Sequence, residues 1–187
     1  TYSNVEAGFK WNVTNRLHLT AAVFEIEKSS PQVADNDPST LDVIESTIQG
    51  FEAQIQGQIN DRWGLSAGYG YLDGEQVNRQ GSTGLRPQEL PRHMMSLWTT
   101  YQVSPSVGLG LGLTHQDESF INNSNSALLP SYTRIDAAIY FDLTEDLSVQ
   151  LNVDNVADEL YFPNAHSTHQ VTVGESINAR FSINWRH

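Results

Sequence analysis

The segment 147–154, LSVQLNVD, alternates without a break: Leu147, Val149, Leu151 and Val153 share one side of an extended chain, and Ser148, Gln150, Asn152 and Asp154 share the other. A period of two is the mark of a strand, because successive side chains leave a pleated backbone on opposite faces. VGLGLGL at 107–113 repeats it, with Leu109, Leu111 and Leu113 against Gly108, Gly110 and Gly112. So does FEAQIQGQI at 51–59, with Phe51, Ala53, Ile55 and Ile59 against Glu52, Gln54, Gln56 and Gln58. Short polar turns at Asn15-Arg16, Asn60-Asp61-Arg62, Ser104-Pro105-Ser106 and Glu145-Asp146 join such patterns as hairpins. Longer stretches rich in Pro, Gly, Asn and Ser lie between them, near 29–43, 73–92, 118–131 and 163–176. The pattern predicts about nine strands, near 4–13, 17–28, 44–59, 63–72, 94–103, 107–117, 132–143, 147–161 and 177–187.

An antiparallel all-β chain can be a soluble sandwich or a membrane barrel, and the content of the two faces decides between them. In a sandwich the apolar face packs a core and the other carries many charges. Here the apolar face sets aromatic residues toward strand ends, at Trp11, Trp63, Tyr69, Tyr71, Tyr101, Phe141, Phe181 and Trp185, as the interfacial girdles of a barrel require. The opposite face is rich in Gln, Asn, Ser, Thr and Gly, as a wet lumen would be. Short turns on one edge and long loops on the other are the asymmetry of outer-membrane barrels. The expected fold is therefore an antiparallel transmembrane β-barrel wall.

Several function classes fall away on composition. Hydrophobic residues make up 39% of the 187, yet no run approaches the ~20 consecutive apolar residues of a spanning helix. Absence of cysteine removes disulfide frameworks, Cys-ligated zinc, iron–sulfur clusters and thiol nucleophiles. A formal charge of -12, from 22 acidic against 10 basic residues, opposes nucleic-acid binding. The opening TYSNVEAGFKWNV is strand-like and lacks the basic and apolar regions of a signal peptide, which leaves a soluble protein or a chain with sequence upstream.

VEAGFKW at 5–11, IQGFEAQIQGQI at 48–59, WGLSAGYGYLDG at 63–74, LPRHMMSLWTTYQV at 90–103 and ARFSINWRH at 179–187 resemble the C-terminal barrel of TonB-dependent siderophore receptors. The most specific piece is LPSYTRIDAAIYFDLTEDLSVQLNVDNVADELYF at 129–162. The resemblance implies a roughly 22-stranded barrel closed around a separate N-terminal plug domain, of which this chain would be the last part. It implies outer-membrane lipid and lipopolysaccharide around the wall, the plug of the same full-length chain inside it, and the TonB complex as the source of energy. The cargo would be a ferric siderophore, so iron arrives already chelated and no resident cofactor or metal is expected. Members usually end in Phe, whereas His187 stands in that outward phase here, after Phe181 and Trp185. A passive porin-like channel or a surface adhesin is the competing reading.

On the long-loop side stand Arg79, Arg86, Arg92, His93, His115, Phe120, Tyr132, Arg134, His166 and His169. Arg for charge and aromatic rings for stacking suit a bulky anionic chelate, and Arg86, Arg92, His93, Phe120, His166 and His169 are expected at one extracellular rim. The spacing of His166 and His169 resembles a zinc pair, but no helix pattern surrounds them and two ligands do not close a site. ADNDPSTLD, with Asp35, Asp37 and Asp42, lacks the Gly and Glu of a calcium loop and reads as an acidic surface loop that at most bridges lipopolysaccharide through loosely held cations. Asp73 with Glu75, and Asp158 with Glu159, form no acid–base pair that the pattern supports, and no catalytic triad can be assigned from residue order. On polar strand phases, Arg134, Asp136, Tyr140, Asp142, Asn178 and Arg180 are expected to line the lumen, where the resemblance implies contact with the plug.

Overall fold

The structure, a computed structural model, describes residues 1–33, 41–77 and 84–186. Asp35, Asp37, Arg79 and His187 lie outside the described residues. The strands are β1 (Tyr2–Thr14), β2 (Leu17–Val33), β3 (Leu41–Asn60), β4 (Trp63–Val77), β5 (His93–Ser104), β6 (Val107–Gln116), β7 (Ser119–Phe120), β8 (Leu128–Leu129), β9 (Tyr132–Asp142), β10 (Leu147–Asp154), β11 (Ala165–Ser167), β12 (Gln170–Val171) and β13 (Asn178–Trp185). Nine of them form one sheet in the order β1-β2-β3-β4-β5-β6-β9-β10-β13, every neighbouring pair antiparallel. Two small ribbons, β7–β8 and β11–β12, belong to the loops.

The register carries the alternation of each strand across the whole sheet. Trp63, Tyr101, Leu109, Ile139, Leu151 and Phe181 are successive partners, as are Phe9, Ala21, Ala53, Tyr69, Met95 and His115. Both rows lie on one face. On the other, Gly64, Thr100, Gly110, Ala138, Asn152 and Arg180 stand side by side. Phe9, Trp11, Leu109, Leu111, Phe181 and Ile183 are all exposed, and no second layer covers the apolar face among the described residues. An apolar surface of this extent matches hydrocarbon and not water. On β4 the band runs from Trp63 to Tyr71, within the ~9–11 residues by which a tilted strand crosses a bilayer. This face is the outer, lipid-side face, and the polar face is the lumenal one.

At one edge, two-residue turns at Asn15-Arg16, Asp61-Arg62 and Pro105-Ser106 and a slightly longer one at Thr144–Asp146 connect the strands. Their backbones stay paired: the Arg16, Arg62, Ser106 and Asp146 carbonyls accept from the amides of Gln58, Gln102, Asp142 and Arg186 at 2.8–3.0 Å. The longer connections among the described residues, before β5 and after β6 and β10, leave the opposite edge, the loop end.

The glycines of β6 have a packing cause. Trp98 lies on the lumenal face of β5 across the neighbouring strand, and a Cβ at Gly112 would stand 2.7 Å from its ring, one at Gly110 2.8 Å. The small residues are the floor on which the indole lies, with Tyr140 of β9 against Gly108 and Gly110. Two expectations need correction: the stretches near 29–43 and 73–92 hold strand at their edges, because the ladder keeps pairing past the predicted ends, with Val33 opposite Leu41, Glu45 opposite Val77 and Asp42 inside β3; and the strand predicted over 147–161 stops at Asp154, because Asn155 takes a left-handed φ of 53° and turns the chain away.

Overpacking at such a contact costs about 1–3 kcal/mol. Gly112→Ala in the membrane-embedded protein is predicted to lower thermal stability accordingly, and Trp98→Ala alongside it to remove most of that loss. Equal destabilisation by Gly112→Ala with and without the indole would refute the floor role of this glycine.

Candidate functional site at the loop end of the wall

Three loops fold together over the lumenal face. Pro87 and Leu90 cover Gly74 on the lumenal phase of β4, where a Cβ would meet both side chains. Gln76, on the same phase and buried, donates from Nε2 to the Asn123 carbonyl at 2.6 Å. The Arg86 amide donates to Asn125 Oδ1 at 2.7 Å, and Asn125 Nδ2 returns a bond to the Arg86 carbonyl at 2.8 Å. Glu89 joins the third loop: its amide donates to the Phe120 carbonyl at 2.8 Å, and its Oε1 accepts from the Ala165 amide at 2.9 Å. Ile121, Leu129 and Ala165 bury a small apolar core among them, flanked by Ala127 and Phe162.

The segment after β10 is held to the wall by a buried polar network. Asn155 is fully buried, and its amide nitrogen donates to Asp136 Oδ1 at 2.8 Å. Its side-chain Nδ2 donates to the Glu159 and Glu175 carbonyls at 2.9 and 3.0 Å, while its Oδ1 accepts from the Glu159 amide at 2.9 Å. Asn tolerates the left-handed backbone better than other side chains, so one residue both turns the chain and satisfies its polar groups. Asp158, also left-handed at 49°, accepts from the Ile177 amide at 2.8 Å and ties the two ends of the loop. The chain then lays Tyr161 on the wall, where Arg134 Nη1 donates to its hydroxyl at 3.1 Å and Tyr132 stacks at 4.7 Å between ring centroids. Arg134 Nη2 also pairs with Asp136 Oδ2 at 3.0 Å. With carboxylate and guanidinium each satisfied on several sides, the pair escapes the penalty of an incompletely bonded buried charge.

The lumenal residues named from sequence therefore differ in their occupation. Arg134 and Asp136 are committed to this network. Tyr140 packs beside Trp98 and the glycine floor, and Arg180 reaches Asp154 at 3.6 Å with its guanidinium largely in solvent. Asn155, Tyr161 and Glu89 are not singled out by the sequence, and Asp158 only as half of a rejected acid–base pair; the Asn-x-x-Asp spacing of DNVAD is the available signal, since both residue types accept local backbone amides in turns.

The six rim residues are divided between the two faces. Phe120 lies half-buried in β7, with His166 in β11 and His169 in the following turn, both exposed on the loop assembly. His93 stands on the outer face across from Tyr71, sharing a 2.7 Å hydrogen bond with the Tyr69 hydroxyl. Arg86 and Arg92 line a cleft with Thr47, Gln49, Asp73 and Glu75, all four in the outer phase of β3 and β4. Arg92 pairs with Asp73 at 3.6 Å. Burial, and next the neighbouring Arg92, hold the Arg86 guanidinium below the usual arginine range.

Asn155→Gly keeps the backbone freedom but removes three side-chain bonds, and each buried group left unpaired costs about 1–3 kcal/mol. Hydrogen exchange is predicted to show the Glu159 and Ile177 amides losing protection while the β6, β9 and β10 amides keep theirs. Unchanged exchange at Glu159 would show that the amide side chain does not hold the loop.

Comparison with known proteins bears on the whole chain. Residues 1–156 match the family described as TonB dependent receptor-like, beta-barrel. The probable TonB-dependent siderophore receptor PiuA of Acinetobacter baumannii is 34% identical over 196 aligned positions, covering 97% of this chain and 26% of the relative. The PiuA crystal structure superposes with a TM-score of 0.89 over 98% of this chain and 28% of that one. The metal-pseudopaline receptor CntO of Pseudomonas aeruginosa is 28% identical over 95% of this chain and 26% of its own length. The chain thus spans about a quarter of the length of these curated relatives. The relatives are receptors by name, not enzymes. The chain belongs to the TonB-dependent receptor family, and its nine-stranded sheet is β-barrel wall of the bacterial outer membrane.

Proposed function

We propose that this chain is the loop-bearing wall of a receptor that imports a ferric siderophore, energised through TonB, and that it acts with a plug domain and further barrel strands of a longer chain. The observation that carries the reading is the loop assembly itself: three loops bonded together over the lumenal face, in a wall matching a siderophore receptor along nearly its whole length. A vestibule built this way presents residues to the pore axis from a body that is anchored, so little ordering entropy is lost when a bulky chelate binds.

Chelate contact falls to Phe120, His166 and His169, whose ring faces and imidazole nitrogens suit stacking and hydrogen bonding. Arg86, Arg92 and His93 serve the outer face instead. The lumenal polar phase around Arg180, Asp154 and Asn152 faces the plug, where exposed groups can exchange partners as the plug moves. The iron is cargo and needs no ligand from the wall.

In cells expressing the complete receptor, uptake of radioactive ferric siderophore is predicted to require TonB. Equal uptake with and without TonB would instead support a passive channel. Joint replacement of Phe120, His166 and His169 by Ala is predicted to weaken chelate binding at least about tenfold, about 1.4 kcal/mol, and Arg86→Ala with Arg92→Ala to leave it within about threefold. A tenfold loss confined to the arginine pair would reverse the assignment of the two faces.

A further inference from the structure

We propose that Glu89 is a positioning residue for chelate binding: its amide and its carboxylate fix the loop that carries Phe120 against the loop that carries His166 and His169. The proposal rests on the reading that those three residues meet the chelate.

The backbone singles this residue out. Among the described residues four non-glycine positions have a left-handed φ: Glu89 at 54°, Asn125 at 54°, Asn155 at 53° and Asp158 at 49°. Asn and Asp tolerate that region because a short polar side chain can bond the backbone nearby. Asn125 and Asn155 do so, reaching the Asn122 carbonyl and the Glu159 amide, three and four residues away. Glutamate is too long to gain in that way, so a left-handed Glu89 is held by contacts made further off. Its side chain crosses to another loop, where Oε1 accepts from the Ala165 amide 76 residues along the chain, at 2.9 Å.

Both ends of this link fall on the chelate-contact residues. The Glu89 amide donates to the carbonyl of Phe120 itself at 2.8 Å, and Ala165 is the chain neighbour of His166. The segment on either side of Glu89 is tied down: the Gln88 amide donates to Asn123 Oδ1 at 3.3 Å, and the Leu90 side chain covers Gly74 on the wall. Glu89 is thus a strut from an anchored segment to two loops. The apolar core of Ile121, Leu129 and Ala165 also joins those loops, but such contact is non-directional and leaves them free to slide. Two hydrogen bonds from one residue fix the offset. Holding Phe120 and His166 at a set separation before the chelate arrives spares it the cost of ordering the loops.

The test uses the complete receptor in nanodiscs, with nitroxides on Leu128→Cys and Thr168→Cys, exposed on β8 and in the turn after β11, and the distance between them read by pulsed electron resonance. Glu89→Gly is the informative variant: glycine keeps the left-handed turn and the amide bond to Phe120, and only the carboxylate is lost. Glu89→Gln returns an oxygen that accepts the same bond. The distance distribution is expected to be narrow in the unaltered receptor and in E89Q, and broader in E89G. Affinity, measured without labels for whichever of a ferric trihydroxamate and a ferric triscatecholate the unaltered receptor binds, is expected to fall at least about threefold in E89G and to recover in E89Q. A distribution in E89G as narrow as in the unaltered receptor, broadening with no change in affinity, or failure of E89Q to recover would each overturn the positioning role. An unaltered receptor that bound neither chelate would sink the import reading, while the distances would still decide whether Glu89 clamps the loops.

Discussion

A backbone amide inside a bilayer has no water to fall back on, and each one left unpaired costs several kcal/mol. Everything in this wall follows from the continuous antiparallel ladder that meets that demand. Because the neighbouring strands of the nine-stranded sheet keep their register except at irregularities beside three of the short turns, the alternation of every strand adds to that of the next, and a face that is merely apolar in one hairpin becomes a band across the sheet. Even the turns obey the rule, since the Arg16, Arg62, Ser106 and Asp146 carbonyls each accept from the adjoining strand. Slippage of a single strand by one residue would exchange its faces and put Gln, Asn and Asp into hydrocarbon.

The two faces then develop separate chemistry. On the lumenal side near the loops, Asp136, Arg134, Asn155 and Tyr161 satisfy one another and turn the chain back over the wall. The loops so anchored reach each other through Glu89 and Asn125. On the outer side the same strands run past Tyr71 and His93 into a charged cleft. One β4 strand thus contributes Gly74 and Gln76 to the loop assembly and Asp73 and Glu75 to the outside, by parity alone.

Parity is also why so much of the fold was legible. LSVQLNVD and VGLGLGL announce their faces residue by residue, and the eight girdle aromatics named from the sequence, from Trp11 to Trp185, fall on the outer face, while Trp98 and Tyr140 take the lumenal phase. The hairpin between β9 and β10 through Glu145-Asp146 is where the turn signal put it. Reach was harder to see. The stop at Asp154 depends on a side chain bonding to carbonyls four and twenty residues away, and no periodicity encodes that. Arg86 and Arg92 sit in a loop-rich stretch, so proximity in sequence suggested a common rim with His166, whereas the face was decided by the β4 register beneath them. The two motifs that identify the family, YTRID and DNVADELY, turn out to be halves of one network, so their specificity reflects a contact and not two separate roles.

The central claim, that the odd-numbered phase of these strands meets lipid while the even phase faces an aqueous lumen, is tested most directly by nitroxide scanning in the reconstituted receptor. Labels placed singly along 107–113 and 147–153 would be read for collision with oxygen, which concentrates in hydrocarbon, and with a water-soluble nickel chelate. Labels at Leu109, Leu111, Val149 and Leu151 should favour oxygen, and those at Gly108, Gln150 and Asn152 the chelate or neither, with a period of two. Oxygen accessibility without alternation, or with the phases reversed, would contradict the account.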